Sequence, residues 1–153
     1  MTVFFLFACK EEHLVVGQLP PSLAVKNAQG ALVDFKSFEG KPILLDFWSL
    51  SCGACKASIP ILNKIQKQNK NLIIISVATD LEFKDLEAYA QENNIQYLLS
   101  SDQLGITTER YQVIGFPTFF FLNREHVLER VMQGLSMGEN WPVNVKSWVS
   151  SQY

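Results

Sequence analysis

Side chains able to hold a metal are scarce in this chain of 153 residues, which has three cysteines and two histidines. A structural zinc site takes about four such ligands in a tetrahedron. Beyond Cys52 and Cys55 the candidates are Cys9, His13 and His126, which are not paired at a ligand spacing, so zinc is disfavoured. Excess positive charge is also missing. Lys and Arg number 13 against 15 Asp and Glu, a net charge of -2, and no basic patch recommends nucleic acid. No apolar run is long enough to span a bilayer. The 6 prolines and 8 glycines are scattered as punctuation, without repeats, low-complexity tracts or charge runs that would mark a second domain. What the chain does have is a hydrophobic content of 48%, enough for one soluble domain with an ordinary core.

The centre of the chemistry is the stretch Phe47-Trp48-Ser49-Leu50-Ser51-Cys52-Gly53-Ala54-Cys55-Lys56, which follows directly on the apolar run from Ile43. A strand ending near Ser49 and a helix starting at Cys52 put both sulfurs on one face of the first helical turn, where they can close a disulfide. Cys52 then lies among the free N–H groups of the helix start, which favour thiolate over thiol, so it is expected to attack. Cys55, one turn further in, is expected to resolve the mixed disulfide. Lys56 adds positive charge nearby, though an exposed lysine contributes little. Inert core cysteines are the plain alternative, against which the small Gly53-Ala54 pair at a strand-to-helix turn argues for an exposed site.

Asp46 interrupts a run that otherwise reads as a strand covered on both faces. A carboxylate there is costly unless paired or protonated, so a raised pKa is expected. Its position suits a proton acceptor for the Cys55 thiol, directly or through one water. A less buried strand with Asp46 in solvent is the alternative.

Around this centre the remaining elements follow from periodicity and punctuation. Ala24–Asn27 and Ala31–Phe35 flank Asn27-Ala28-Gln29-Gly30 and predict a β-hairpin laid on a sheet edge, with a loop or short helical turn over Ser37–Pro42. A helix from Cys52 to about Asn69 carries Ile59, Leu62 and Ile65 inward, with Pro60 in its second turn expected to kink it. Leu72–Ala78 predicts a second buried strand, parallel to the first through a right-handed crossover. Next come a helix over Glu82–Asn93 with Phe83, Leu86 and Tyr89 or Ala90 inward, a strand over Tyr97–Leu99, and a short helix over Leu104–Tyr111. Pro117 heads a strand running to Leu122, and its X-Pro bond is a candidate for the cis form. Asn123-Arg124-Glu125 turns the chain into an antiparallel strand over Val127–Met132. A closing helix from about Glu139 to Ser150 buries Trp141, Val145, Trp148 and Val149. Both histidines read as solvated.

The first nine residues are apolar and switch abruptly to Lys10-Glu11-Glu12-His13. They resemble the end of a bacterial lipoprotein signal, in which Leu-x-Ala precedes a lipidated cysteine; Leu6, Ala8 and Cys9 match. No basic region precedes them, so this reading requires residues upstream of Met1. It makes residues 1–21 a signal-like segment and tether, residues 22–153 the domain, and Cys9 an anchor that places the domain outside the cytoplasm. An ordinary first strand with a spare cysteine, in a cytoplasmic protein, is the alternative.

Taken together, Gly40-Lys41-Pro42, Asp46-Phe47-Trp48, Cys52-Gly53-Ala54-Cys55, Ile59-Pro60 and Gly115-Phe116-Pro117-Thr118 resemble the thioredoxin superfamily, and within it the TlpA-like or ResA-like thiol-disulfide oxidoreductases of the bacterial cell envelope. The resemblance runs from about Leu23 to the C-terminus. It implies an α/β thioredoxin-like fold: a central mixed β-sheet flanked by helices, here with the N-terminal hairpin as an extension. It implies Cys52 as nucleophile, Cys55 as resolving cysteine, Asp46 as the buried acid, and substrate binding by Trp48, Phe116, Pro117 and Thr118, with a partner strand pairing to the backbone of Phe116. It implies no cofactor. The partners are cysteine-containing substrate proteins and an upstream thiol reductant, and the domain is expected to act as a monomer. The chain departs from the pattern at Ser51, where the family commonly has tryptophan, and at Ala54, where Gly-Pro is the common dipeptide.

The leading expectation is a disulfide reductase. A peroxiredoxin-like thiol peroxidase is a second reading, since Ser49 stands three before Cys52, but Leu45 occupies a place where a proline is wanted. A Cu(I)-binding chaperone is a third: thiolates bind Cu(I), yet His126 is poorly placed to join them. A domain with no activity is the last.

Overall fold

The computed structural model describes residues 14–134 and 141–153. The motif at Leu6, Ala8 and Cys9, His13, and the first residues of the closing helix lie outside the described residues.

The fully buried run Ile43–Trp48 forms β1, the middle of a five-stranded sheet. It is followed by α1 (Gly53–Gln68), β2 (Ile73–Ala78), α2 (Leu86–Glu92), β3 (Leu98–Ser101), α3 (Ile106–Arg110), β4 (Thr118–Leu122), β5 (Leu128–Gln133) and α4 (Trp141–Ser150). The strand order is β3-β2-β1-β4-β5. The first three strands run parallel, and β4 is antiparallel to both β1 and β5.

Alternation along β1 assigns each residue to a face. Ile43, Leu45 and Phe47 join Val25, Val33, Tyr111 and Phe120 on one side. On the other, Leu44 packs with Leu62 and Ile65 of α1, Phe119 and Phe121 of β4, and the α4 residues Trp141, Val145, Trp148 and Val149. Trp48, also on this second face, packs with Cys55, Leu86 and Leu99. Asp46 lies between Leu44 and Trp48 and therefore points to the α1 face of the sheet.

Several expected elements take a different form. The hairpin reduces to single bridges: Lys26 pairs with Leu32 and with Ser101 of β3. Asn27 closes the turn, its side-chain oxygen accepting from the N–H groups of Gln29 and Ala31 at 3.0 Å each, which leaves too few residues in register for a ladder. Pro60 lies inside α1, on its exposed face. The expected helix over Glu82–Asn93 divides into a 3-10 turn at Phe83–Asp85 and then α2. Strand β3 extends past Leu99 because Ser100 and Ser101 are buried with their hydroxyls satisfied by the carbonyls of Ser76 and Leu81. Helix α3 is shorter than expected: Gly105, at φ 68°, starts it, and Leu104 stays 84% exposed.

His126, which the sequence places in a solvated turn, is instead packed against the domain. It is half-buried, with Nε2 3.2 Å from the Phe38 carbonyl oxygen and its ring 5.7 Å from that of Phe35. The latter part of the expected tether is hydrogen-bonded to the domain: Gly17 N–H donates to the Leu128 carbonyl at 2.7 Å, and the Tyr111 hydroxyl to the Pro21 carbonyl at 2.7 Å.

Candidate active site

Cys52 ends the loop after β1 and caps α1. Its backbone is extended (φ -86°, ψ 100°), and its sulfur accepts the Cys55 N–H at 3.1 Å. This is the place of a serine or aspartate cap, filled here by sulfur. Once the cysteines are reduced, the same N–H and the helix dipole stabilise a Cys52 thiolate. The two sulfurs are joined in a disulfide, with Cα atoms 5.3 Å apart as one helical turn dictates. Cys52 is half-buried and Cys55 is 3% exposed, so Cys52 is the more accessible of the two.

The loop carrying Cys52 is fixed from below. The Asp80 carboxylate, two residues past the end of β2, accepts the Leu50 N–H with both oxygens, at 2.8 and 3.0 Å. Ser49 and Ser51 share a hydroxyl–hydroxyl bond of 3.0 Å, and the Cys52 N–H donates to the Ser49 carbonyl at 3.2 Å. Sequence reasoning had not singled out Asp80; its signal is an acidic residue just past the carboxyl end of a parallel strand, beside the loop that follows the neighbouring strand.

Asp46 is 3% exposed. Its Oδ2 accepts the Ser76 hydroxyl at 2.9 Å, while Oδ1 is buried with no partner among the described residues. Burial pushes the carboxyl from 3.8 up to about 7, against the Ser76 hydrogen bond, which favours the charged form. The inner face of α1, which covers the sheet face to which Asp46 points, presents Cys55, Ser58, Ile59 and Leu62 in turn. Tyr97, packed at the edge of both clusters on this face, has its phenol pushed up by burial and then by the charges of Asp46 and Tyr89.

The expected substrate residues divide in two. Phe116 is half-buried and packs against the cluster that contains Trp48 and Cys55, as Leu50 and Cys52 do, which sets the Gly115–Thr118 loop on the same side of the fold as the disulfide. The Phe116–Pro117 peptide is cis, and the Thr118 hydroxyl donates to the Gly115 carbonyl at 2.7 Å, closing the loop. Thr118 is 4% exposed and Trp48 3%. The indole ring centroid lies 5.2 Å from that of Tyr89, and its Nε1 is buried without a partner among the described residues.

The other chemistries find little support. The Ser49 hydroxyl is engaged with Ser51. Leu45 lies in the middle of the central strand. His126 sits past β4, whose end pairs with Ile43 at the far end of β1 from Cys52. Among the described residues no group of three or more His, Cys, Asp or Glu could hold a metal, and no helix is long and apolar enough to cross a membrane.

A CxxC disulfide capping the first helix beside a mixed sheet of this order defines a thiol-disulfide oxidoreductase of the thioredoxin superfamily, in its TlpA/ResA-like branch. The chain belongs to the AhpC/TSA family, whose profile matches residues 16–131. It is 24% identical over 135 residues to the thiol-disulfide oxidoreductase ResA of Bacillus thuringiensis subsp. konkukian, covering 87% of this chain and 78% of that one. It is 26% identical over 132 residues to the thioredoxin-like protein YneN of Bacillus subtilis, covering 84% and 77%. Among solved structures it resembles a putative thiol:disulfide interchange protein DsbE from Chlorobium tepidum, with a TM-score of 0.80 and 23% identity over 91% of this chain and 98% of that one.

Proposed function

We propose that this domain reduces disulfides in proteins of the cell envelope. The observation that carries the reading is a disulfide between the helix-capping Cys52, the more exposed of the two, and the buried Cys55, with a buried acid on the same face of the sheet. In the reduced protein the Cys52 thiolate attacks a substrate disulfide. A mixed S–S bond forms, the substrate S–S bond breaks, and one substrate sulfur leaves as thiolate. Cys55 gives its proton to Asp46, directly or across one water, and its thiolate attacks the Cys52 sulfur. The internal disulfide forms and the second substrate thiolate is released. Two electrons pass from the cysteine pair to the substrate, and an external dithiol returns them to the domain.

In this reading an extended substrate segment lies against the Phe116–Pro117 backbone. Trp48 and Thr118 shape that surface from beneath. Ser51 makes the rim more polar than tryptophan would. A lipid on Cys9 would hold the domain at the outer face of the membrane, and one domain suffices for the whole cycle.

Turnover of two substrates checks the class of reaction. Catalytic amounts of the domain are expected to accelerate reduction of a disulfide-bonded protein by dithiothreitol, and to leave hydrogen peroxide consumption near the rate of dithiothreitol alone. Peroxide turnover outpacing disulfide reduction would reverse the assignment.

A further inference from the structure

Asp46 and Ser76 face each other directly across adjacent parallel strands, both nearly inaccessible to solvent (3% and 1% exposed). Ser76 has a single hydroxyl proton, and it is donated to Oδ2 of Asp46. Its backbone carbonyl is held in turn by the Ser100 hydroxyl at 3.3 Å. Oδ1 has no partner among the described residues. From this division of the two oxygens, and resting on the reading of Asp46 as the proton acceptor, we infer that Ser76 is a positioning residue for the resolving step: it binds Oδ2 and so leaves Oδ1 as the atom that takes the Cys55 proton.

A carboxylate that accepts a hydrogen bond on one oxygen is both turned and stabilised as the anion. The Ser76 hydroxyl takes one lone pair of Oδ2, so Oδ1, which accepts nothing among the described residues, is the less engaged oxygen for an incoming proton. In the resolving step the Cys55 S–H proton goes to Oδ1, the Cys55–Cys52 S–S bond forms, and the mixed S–S bond breaks as the substrate sulfur departs with the electron pair. When an external dithiol reduces the domain again, Cys55 leaves as thiolate and takes a proton back, which resets the carboxylate for the next cycle.

Among the described residues, Tyr97 ahead of β3 is the titratable group coupled to Asp46, and Cys55 of α1 packs with Trp48 on the sheet face to which Asp46 points. β4 presents the neutral Phe119, which stacks on Trp141 of α4. β2 presents Ser76 itself. No lysine or arginine among the described residues is positioned here to stabilise the carboxylate, so the hydroxyl is what favours its charged form.

The test is the pH profile of the resolving step, read as release of the second substrate thiol in single turnover, in wild type, Ser76→Ala, Ser76→Thr and Asp46→Asn. Wild type is expected to break near pH 7. Loss of a hydrogen bond to the charged form moves that break up by about one pH unit in Ser76→Ala, and Ser76→Thr, which keeps a hydroxyl, restores it. Asp46→Asn removes the break. If Asp46→Asn leaves the break in place, the acid is not the acceptor and the underlying reading fails. If it removes the break while Ser76→Ala leaves it unmoved, that reading stands and the role given to Ser76 is overturned. Carbon-13 NMR titration of the Asp46 carboxyl in the oxidised Ser76→Ala protein follows the same upward shift without turnover, and a carboxyl that titrates there as in wild type overturns the role given to Ser76.

Discussion

Replacing Cys55 with serine is expected to convert the domain from a catalyst into a trap. The capped Cys52 remains and still attacks a substrate disulfide, but no neighbouring thiol breaks the adduct. Mixed with a disulfide-bonded protein, reduced Cys55→Ser accumulates a one-to-one covalent complex, visible on a non-reducing gel and released by dithiothreitol. Multiple-turnover reduction falls steeply. An oriented intramolecular group acts at an effective molarity on the order of 10⁵ M or more, and external dithiol at about millimolar concentration replaces it poorly, so a loss of about a thousandfold or more is expected. Cys52→Ser is equally inactive but forms no adduct, since the remaining thiol at position 55 is buried and lacks the helix-cap N–H. Equal adduct yields from both variants would contradict the division of labour.

Asp46→Asn is expected to make the protein more stable at pH 8 while making it a poorer enzyme. The folded carboxyl titrates at about 7 against 3.8 for the ordinary group. Below about pH 4 both folded and unfolded states hold the proton, and burial carries no ionisation cost. Between pH 4 and 7 the unfolded state releases its proton first, so stability falls as pH rises, and the loss is complete above the folded value. A difference of about three pH units, at about 1.4 kcal/mol each, amounts to about 4 kcal/mol. Asparagine does not ionise and escapes this loss, less the cost of burying its amide N–H groups, so urea unfolding at pH 8 should show a gain of about 2 to 4 kcal/mol. At pH 4, where only the amide cost remains, the variant should equal wild type or be weaker by up to about 2 kcal/mol. Removal of the base slows resolution by on the order of a hundredfold. A wild-type stability that is flat from pH 4 to 7, or an Asp46→Asn protein weaker than wild type at pH 8, would contradict the assignment.

Much of this was legible in the chain because it is written locally. A continuous apolar run bounded by Pro42 and Ser49 makes β1, a cysteine pair at the strand-to-helix junction makes the redox centre, and Gly115-Phe116-Pro117-Thr118 marks the loop that closes on it. Asp46 stood out as the one ionisable residue in a buried strand. What was not legible depends on register between distant segments. Ser76 interrupts its own apolar run opposite Asp46, 30 residues away, and only the parallel pairing makes the two interruptions one site. Asp80 reads as a loop residue until its carboxylate meets the Leu50 N–H. Ser100 and Ser101 read as the end of a strand because a hydroxyl satisfied in the core looks polar in sequence. His126 looked solvated for the reverse reason: a turn residue at φ 60° folds its ring back over Phe35.

The measurement that tests the account most directly is the reduction potential of the Cys52–Cys55 couple, by equilibration with glutathione or dithiothreitol and quantification of the disulfide. Reductants of the thioredoxin kind lie near or below about -250 mV, and a value in that range is predicted here. A value above about -150 mV would make the domain an oxidant that introduces disulfides, and would contradict the direction of electron flow proposed for it.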